Sequence, residues 1–310
     1  MPNKNAIYTA NQLHMYQSMP LEAKINLTYQ RIRQFYDKYQ GSVYIAFSGG
    51  KDSTVMLDLV RRFYPHVPGV FVNTGLEFPE IIKFVKTIPN ITWLRPAMTF
   101  KAVLKKYGYP VVSKQQAQYI REYREAKSEK TKHDRLYGKY GKKMFKIAEK
   151  WKYLLDAPFL ISEKCCQYMK KKPSQNYTKE TGRYGYVGMM ADDSRGRWID
   201  YMKYGCNAFD KKTPQGRPLM FWKNRDIWDY IKLKNLSYSK IYDMGYKNTG
   251  CIFCAFGAHL NYPNRFQLMK KTHPKLWKYC IEKLNMREVL DYCKIPYQDY
   301  YIQNELDTPL

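Results

Sequence analysis

Residues 43 to 54 read Val-Tyr-Ile-Ala-Phe-Ser-Gly-Gly-Lys-Asp-Ser-Thr, and this stretch predicts more of the fold than any other part of the chain. The apolar run predicts a buried strand that passes through a Ser-Gly-Gly turn directly into a helix. Glycines let the backbone turn tightly and approach a ligand, so that successive N–H groups can point at one anion. A helix that opens at Ser53 and Thr54 would direct its positive end to the same point. The stretch therefore predicts a phosphate-binding turn.

The residues of this turn also indicate which kind of phosphate-binding loop it is. A Walker-type loop needs four residues between its glycines and a Gly-Lys-Ser/Thr ending, whereas here Lys51 precedes Asp52. The turn instead resembles the PP-loop of the adenine nucleotide alpha hydrolase superfamily. An ordinary Gly-rich turn between a strand and a helix is the alternative interpretation.

The segments after this turn alternate between strand and helix patterns. Four further segments are predicted strands: 69–73, 91–94, 184–189 and 218–222. This alternation predicts an α/β fold, in which a parallel sheet carries helices on both faces, as in the adenine nucleotide alpha hydrolases. Ligands bind at the carboxyl ends of the strands in such sheets, where Ser48 and Asn73 both lie.

Changes in composition predict the domain organisation. The expected segments are an N-terminal helical extension (1–40), a PP-loop nucleotide-binding and cysteine-cluster domain (41–112 and 154–260), a basic helical insertion (113–153) and a helical C-terminal region (261–310). No stretch of 18 apolar residues occurs, and the first residues, Met-Pro-Asn-Lys-Asn, lack the apolar core of a signal peptide. We therefore expect a cytoplasmic protein without a membrane partner.

The chain is strongly basic, with 53 Lys and Arg against 27 Asp and Glu and a formal net charge of +26. Such an excess favours a polyanion as a second partner besides a nucleotide, although a solubilising basic surface is the alternative. The insertion 113–153 holds thirteen Lys or Arg and five Asp or Glu, interleaved with Tyr119, Tyr123, Tyr137 and Tyr140. Lysines that follow a phosphate backbone and tyrosines that stack on bases predict a surface for tRNA or DNA. A solvated helical hairpin is an equally good interpretation.

Four of the seven cysteines have a spacing that indicates a metal site. Cys165 and Cys166 are adjacent, and after 84 intervening residues Cys251 and Cys254 form a C-x-x-C pair. Four thiolates can hold zinc or a [4Fe–4S] cluster. Adjacent cysteines suit a bulky cluster better than zinc, because their side chains diverge and can bind different irons. Zinc and a fortuitous C-x-x-C remain the alternatives, and the isolated Cys206, Cys280 and Cys293 are interpreted as packing residues.

From about Val43 to Cys254 the chain resembles the phosphoadenosine phosphosulfate (PAPS) reductase family, and within it the cluster-bearing adenosine phosphosulfate (APS) reductases. The matching segments are Ser48 to Ser53, Phe71 to Glu80, Cys165-Cys166 with Lys170 and Pro173, Pro218 to Trp222, Asp226 to Trp228, Tyr242 to Tyr246, and Gly250-Cys251 with Cys254. Relatives usually have Asp at the position of Asn73. The resemblance implies the fold and an adenine nucleotide ligand.

Two departures from the family pattern concern the reaction. Sulfonucleotide reductases carry a Gly-x-Arg segment where this chain reads Gly188-Met189-Met190, so Arg195 or Arg197 would have to supply the anion contact. Those reductases also attack the sulfate sulfur with a cysteine in a C-terminal Glu-Cys-Gly segment, and no cysteine follows Cys293 here. Covalent chemistry of this kind needs a thiolate that can reach the substrate.

The leading hypothesis is that the chain binds ATP with Mg²⁺, cleaves it between the α and β phosphates, and couples this adenylation to sulfur transfer onto a nucleic acid. The resemblance implies this reaction, because family members that place sulfur in DNA or tRNA work in this way. Such a reaction would also need a sulfur donor, such as a cysteine desulfurase. The nucleotide-binding set would be Ser48, Gly49, Gly50, Lys51, Asp52, Ser53, Thr54, Asn73, Thr74, Gly75 and Arg197.

Individual roles follow from the same hypothesis. Lys51 would supply positive charge, and Asp52 would hold Mg²⁺ or fix the turn. A [4Fe–4S] cluster on Cys165, Cys166, Cys251 and Cys254 would carry or position sulfur, with Lys170 stabilising negative charge beside it. Two hypotheses compete: a reductase that forms sulfite from APS or PAPS with thioredoxin as electron donor, and a regulator that senses a nucleotide and binds nucleic acid without catalysis.

Overall fold

The computed structural model of the chain describes residues 7–139 and 145–299. Tyr140 of the predicted basic insertion and the outermost residues of both predicted terminal segments lie outside this range. The strands are β1 (Val43–Ala46), β2 (Gly69–Val72), β3 (Ile91–Leu94), β4 (Val111–Val112), β5 (Tyr184–Val187), β6 (Asn207–Ala208), β7 (Gln215–Gly216) and β8 (Ala255–Phe256).

Fourteen α-helices lie among the described residues. They are α1 (Ala10–Ser18), α2 (Leu21–Lys38), α3 (Lys51–Arg61), α4 (Pro79–Lys86), α5 (Phe100–Tyr107), α6 (Lys114–Glu125), α7 (Glu129–Tyr137), α8 (Lys164–Cys166), α9 (Lys172–Thr181), α10 (Arg195–Tyr204), α11 (Asn224–Leu233), α12 (Arg265–Thr272), α13 (Pro274–Lys278) and α14 (Met286–Tyr292). Short 3₁₀ helices cover Glu149–Asp156, Ala191–Asp193, Lys240–Tyr242 and Ala258–Leu260, and π-helical turns cover Gln167–Lys171 and Tyr279–Lys283. Within residues 7–139 and 145–299, none of these helices is long and apolar enough to cross a membrane.

The chain forms two compact units, of which the first comprises the described parts of residues 1–73, 78–95 and 172–241. Its sheet has the order β3-β2-β1-β5-β7-β6, and every neighbouring pair is parallel except β6 with β7. The predicted α/β fold with a mostly parallel sheet flanked by helices is confirmed. Because β2 and β5 lie on opposite sides of β1, the end of β1 is the switch point at which α/β proteins bind ligands.

Apolar side chains explain why β1 occupies the middle of the sheet. Val43, Ile45 and Phe47 are buried, as are Val55 and Leu59 on α3.

The prediction of a strand at 218–222 is wrong, because these buried residues form successive turns. The N–H of Met220 donates to the carbonyl of Arg217, and the N–H of Trp222 donates to that of Leu219. Burial alone produced the apolar run, and periodicity cannot distinguish a short buried strand from a buried turn.

The second compact unit comprises the described parts of residues 74–77, 96–171 and 242–310. Parallel pairing of β4 with β8 joins two of its segments that are far apart in sequence. This unit therefore groups the cysteine pairs with the basic insertion and the C-terminal helices, whereas the predicted domains divided these segments differently. The reason is tertiary, since Ala255, which directly follows the C-x-x-C pair, pairs with Val111 immediately before the insertion.

Candidate functional site

The turn between β1 and α3 has a backbone that only glycine accepts readily at its second residue. Gly49 has φ +72°, and a Cβ built there would lie 2.7 Å from Val85 Cγ2 and 2.9 Å from Ile81 Cγ2. Positive φ and a close neighbour both exclude larger residues. Gly50 is the N-cap of α3 in an extended conformation, and as a glycine it provides no side chain to cap the first helical turn. The turn therefore has the backbone of an anion-binding site.

The hydroxyl groups of this turn mainly stabilise its shape. Ser53 Oγ donates to the carbonyl of Gly50 at 2.8 Å and accepts from the N–H of Ser48 at 3.1 Å. Thr54 Oγ1 donates to the same carbonyl at 3.1 Å. Ser48 is exposed, whereas Ser53 and Thr54 are buried. In this arrangement Ser48 is the hydroxyl best placed to contact a ligand from solvent.

Lys51 and Asp52 form an ion pair at the start of α3. Lys51 Nζ lies 2.7 Å from Asp52 Oδ1, and the lysine side chain is only 3% exposed. Burial raises the pKa of Asp52 above its ordinary value, and the charge of Lys51 opposes that rise. Neighbouring Asp193 raises the same pKa and Arg197 lowers it, so both lie near the turn. The carboxylate of Asp52 is therefore held among charges at the point where phosphates would bind.

The segment after β5 closes one side of the turn. Gly188 approaches the turn so closely that a Cβ there would lie 2.8 Å from the carbonyl oxygen of Asp52. Met190 is buried, so the side chain that replaces the family arginine does not face solvent. Arg197 forms an ion pair with Asp193, whose carboxylate also accepts from the N–H of Met190. Arg197 is thus near Asp52, as its predicted role requires, but is already paired.

The residues of the predicted nucleotide-binding set that follow β2 belong to different compact units. Asn73, in the first, donates its N–H to the carbonyl of Leu94 at 2.8 Å. In the second unit Thr74 is held by Glu77, which accepts from its N–H at 3.0 Å and from its hydroxyl at 2.7 Å. Gly75 has φ +73°, which permits this tight turn. Glu77 was part of the family match, yet the sequence assigned it no role.

The four cysteines predicted to bind metal lie together in the second unit. The pKa of Cys165 is raised, chiefly by its hydrogen bond to Cys166 and then by burial. The pKa is raised further by the charges of Cys166, Cys254 and Cys251. The C-x-x-C pair is fixed by buried Ile252 and Phe253, and the N–H of Ile252 donates to Leu76 at 2.9 Å. Within the described residues, however, no three His, Cys, Asp or Glu side chains have the geometry of a closed metal site.

Positive side chains surround these thiols. The pKa of Cys166 is lowered, first by a hydrogen bond from Cys165 and then by the charges of Lys114 and Lys170. The pKa of Lys170 is raised, chiefly by Cys251, and Glu77 adds to the effect. Burial raises the pKa of Cys254 to about 11, which Arg265 opposes. Three cations, Lys114, Lys170 and Arg265, therefore act on the thiols of the four cysteines.

Arg265 is a second residue that the sequence did not single out. Its guanidinium donates to the carbonyl of Cys251, and a Cβ on Gly250 would lie 3.1 Å from its Nη2 atom. Lys114 and Arg265 act on the cysteines through tertiary contacts, and no local motif marks either of them. Their positions in sequence, 52 residues before Cys166 and 11 after Cys254, carried no recognisable spacing signal.

The remaining cysteines are buried, as their interpretation as packing residues requires. Cys206, Cys280 and Cys293 are at most 7% exposed. Burial raises the pKa of Cys206 and of Cys293 to about 12 and also raises the pKa of Cys280. Because a nucleophile must be a thiolate that reaches its substrate, neither Cys280 nor Cys293 is suited to replace the catalytic cysteine of the reductases.

These two sites define a class: an α/β protein with a phosphate-binding turn at its topological switch point and a second unit that carries a four-cysteine set. The model of the phosphoadenosine phosphosulfate reductase domain matches residues 42–133 and 111–256. The chain therefore belongs to the PAPS reductase domain family, as its motifs predicted. The PP-loop superfamily resemblance is consistent with this membership.

Individual relatives are distant. An uncharacterized protein of Methanocaldococcus jannaschii is 27% identical over 254 residues, which cover 80% of this chain but only 42% of that protein. The chain thus spans less than half the length of that relative. Adenosine 5'-phosphosulfate reductase 2 of Bacillus subtilis is 27% identical over 229 residues, covering 71% of this chain and 75% of the reductase. A crystal structure of phosphoadenylyl-sulfate (PAPS) reductase from Candida auris has 16% identity and a TM-score of 0.43, covering 79% of this chain and 96% of that one.

Proposed function

We propose that the protein is a sulfonucleotide reductase that binds APS or PAPS with its phosphates on the Ser48–Thr54 turn and forms sulfite. The observation that carries this proposal is the joint presence of an anion-binding turn and a positively charged four-cysteine set in a chain of the PAPS reductase domain family. Similarity to an APS reductase over three quarters of its length supports the same reaction.

In this proposal the chain's own residues bind and orient the nucleotide. The backbone N–H groups at Gly49, Gly50 and Lys51 would hold the phosphates, because they lie at the start of α3, where the helix dipole adds positive potential. In the second unit, Lys170 and Arg265, the cations near the cysteines, would stabilise the negative charge of the thiolates and of a group that they hold.

The four cysteines would hold a [4Fe–4S] cluster, with zinc as the alternative. The positive charges of Lys114 and Lys170 beside the thiols would tune the charge and redox potential of such a cluster. Iron and sulfide analysis of anaerobically purified protein tests this assignment. The expected wild-type result is about four irons per chain, and Cys251→Ala should lose them. Cys206→Ala is the control that keeps a full complement, and a colourless, zinc-loaded wild type would contradict the cluster.

The electrons for sulfite formation must come from thiols. Breaking the bond between sulfur and phosphate oxygen releases AMP, or adenosine 3',5'-bisphosphate from PAPS, and leaves a thiosulfonate on the attacking thiolate. A second thiol then releases sulfite and forms a disulfide. Since Cys280 and Cys293 are buried, we propose that both thiols belong to a partner dithiol such as thioredoxin.

Sulfite release from sulfur-labelled APS or PAPS in the presence of thioredoxin tests the reaction. The expected result is one sulfite per nucleotide consumed and loss of activity when thioredoxin is omitted. A protein that binds the sulfonucleotide but releases no sulfite with any dithiol would contradict the proposal.

ATP cleavage between the α and β phosphates, coupled to sulfur transfer, is the second candidate. It is favoured by the buried Met190 in place of the family arginine and by the burial of Cys280 and Cys293. Release of pyrophosphate from ATP that depends on added tRNA or DNA would select this reaction. Pyrophosphate release without sulfite formation would exclude the reductase.

A further inference from the structure

The predicted basic insertion offers less free charge than its composition indicates. Arg121 pairs with Glu163 and Glu125, and Arg135 pairs with Glu122. Arg124 donates to two backbone carbonyls, those of Phe159 and Ala157. These three arginines therefore hold the insertion in its fold.

Its tyrosines are likewise partly used by the fold. Tyr119 is buried, and the guanidinium of Arg135 lies 4.6 Å from its ring centroid. A buried ring cannot stack on a nucleic-acid base. Tyr119 is therefore not available for the predicted stacking on bases, whereas Tyr137 is 62% exposed.

A second basic segment of the same unit follows the C-x-x-C pair. Residues 265–283 hold six Lys or Arg and one acidic residue, Glu282. Four lysines of this segment are exposed and have no ion-pair partner among the described residues: Lys271, Lys275, Lys278 and Lys283. Lys270 differs from them, because it pairs with Asp299 at 2.6 Å. We refer to the four exposed lysines and Tyr279 as the lysine face.

Tyr279 is the aromatic member of the lysine face. It lies four residues after Lys275 and directly after Lys278, on the helical stretch formed by α13 and the following π-helical turn. Residues three and four apart on a helix are neighbours, so Tyr279 and Lys275 are close on one surface. The ring of Tyr279 is 45% exposed. It is therefore available to a base that approaches between the lysines.

The lysine face also lies beside the cysteine set. The ring centroid of Tyr279 is 5.9 Å from that of Phe253, the residue that directly precedes Cys254 in the C-x-x-C pair. Phe253 is itself buried, so its contact with Tyr279 is a fixed part of the fold of this unit. A ligand stacked on Tyr279 would contact a ring that itself packs against Phe253, the neighbour of Cys254.

We propose that the lysine face binds single-stranded nucleic acid, with lysines on the phosphates and Tyr279 stacked on a base. Single strands fit better than a duplex, because their bases are free to stack on an exposed ring. The excess of Lys and Arg in the chain would then include a defined binding site for a polyanion. This inference goes beyond the proposed reductase function and does not depend on which nucleotide the Ser48–Thr54 turn binds.

Binding of fluorescent RNA and DNA oligomers of one sequence, single-stranded and duplex, tests the proposal on the full chain. The variant is Lys271→Ala/Lys275→Ala/Lys278→Ala. The matched control is Lys127→Ala/Lys130→Ala/Lys150→Ala, which removes the same charge from exposed positions of the insertion. Three lost phosphate contacts should reduce the slope of log affinity against log salt by about 2, whereas the control should keep the wild-type slope.

Tyr279→Ala separates stacking from charge. Loss of one stacked base lowers affinity by about tenfold, and Tyr279→Phe should retain wild-type affinity. Tighter binding of either single strand than of the duplex supports the proposal and also identifies RNA or DNA as the ligand. Equal losses in the two triple variants would overturn it, as would binding to vesicles of anionic phospholipid without binding to oligomers. Iron content and nucleotide affinity should be unchanged in both triple variants and in Tyr279→Phe, which separates this test from that of the reductase.

Discussion

At the scale of single residues, Gly49 is the position where the turn tolerates least change. Its φ of +72° disfavours any side chain, and Val85 and Ile81 of α4 lie within 3 Å of a Cβ built there. The turn is therefore packed directly against α4, and its shape depends on that contact. A residue with a side chain would have to move either the turn or the helix.

We predict that Gly49→Ala destabilises the protein and weakens nucleotide binding. Strain at positive φ costs about 1–3 kcal/mol, and the contact with Val85 adds to it. Gly182→Ala is the matched control, since Gly182 also has a positive φ of +68° but no atom within 4 Å of a Cβ. Urea unfolding of both variants measures the difference. Equal destabilisation by the two substitutions would show that packing against α4 contributes nothing.

Some site residues could be predicted from the sequence and others could not. The turn at Ser48 to Thr54 and the four cysteines were recognisable because their spacing is local and chemically unusual. Lys114, Glu77 and Arg265 affect the cysteines or their neighbours through the fold, so no short pattern contains them. The burial of Met190 was equally invisible, because a methionine is compatible with either a core or a surface position.

At the scale of elements, a buried ion pair links α2 to α11. Lys24 Nζ lies 2.7 Å from Asp226 Oδ2, with side-chain exposures of 2% and 8%. Asp226 also accepts from the N–H of Lys223 at 2.7 Å, so its charge is needed at the start of α11. Removing only the lysine would leave a buried carboxylate without its cation.

We predict that Lys24→Met lowers the free energy of unfolding by about 3–5 kcal/mol, the usual cost of breaking a buried pair. Arg225→Met, on the helix α11 that also carries Asp226, is the control. The side chains of the Arg225–Asp229 pair are 88% and 50% exposed. Exposed pairs contribute about 0–1 kcal/mol. Chemical denaturation measures both changes, and a loss below about 1 kcal/mol in Lys24→Met would contradict the prediction.

The pairing of Arg121 with Glu163 predicts a pH dependence of stability. Burial raises the pKa of Glu163, but hydrogen bonds from Arg121 outweigh it, so the pKa falls below its ordinary value of 4.5. A carboxyl with a lowered folded pKa adds stability above its unfolded pKa, and that stability is lost as pH falls through the folded pKa. The contribution of this pair should therefore be complete at neutral pH and should shrink progressively as the pH falls below 4.5.

Arg121→Gln measures that contribution. We expect the variant to be less stable than wild type by about 1–3 kcal/mol at pH 7, with the difference shrinking as the pH falls below 4.5. Lys132→Gln is the control, because its partner Glu129 is 85% exposed, and it should change stability little at any pH. A difference between Arg121→Gln and wild type that stays constant from pH 7 to about pH 3 would contradict the assignment.

The elements themselves were predicted unevenly. Strands β1, β2, β3 and β5 follow apolar runs bounded by clear turn signals, and the structure confirms them. The run at 218–222 was wrong because its burial comes from turns packed in the core. The very short strands β4 and β8 pair across more than 140 residues, and two-residue strands carry no periodic signal.

At the scale of the whole molecule, composition predicted a polyanion partner but not its location. The sequence pointed to residues 113–153, where the count of basic residues is highest. The fold pairs several of those arginines internally and leaves the lysines of the lysine face exposed. Net charge is a property of composition, whereas the position of free charge depends on which carboxylates the fold brings close.

The central claim is that the Ser48–Thr54 turn binds the phosphates of an adenine nucleotide, and Gly50 offers the sharpest test of it. Gly50 is the N-cap of α3 with φ −83° and ψ 159°, a conformation that other residues adopt. Asp and Asn are both favoured at N-caps and have the same size, so Gly50→Asp and Gly50→Asn differ mainly in charge.

Calorimetric titration of wild type, Gly50→Asp and Gly50→Asn with APS, PAPS and ATP is the decisive measurement. We predict that wild type binds at least one of these nucleotides, that Gly50→Asp loses at least tenfold in affinity through repulsion of the phosphates, and that Gly50→Asn retains clearly more affinity than Gly50→Asp. Equal nucleotide affinity in Gly50→Asp and wild type would show that the phosphates bind elsewhere.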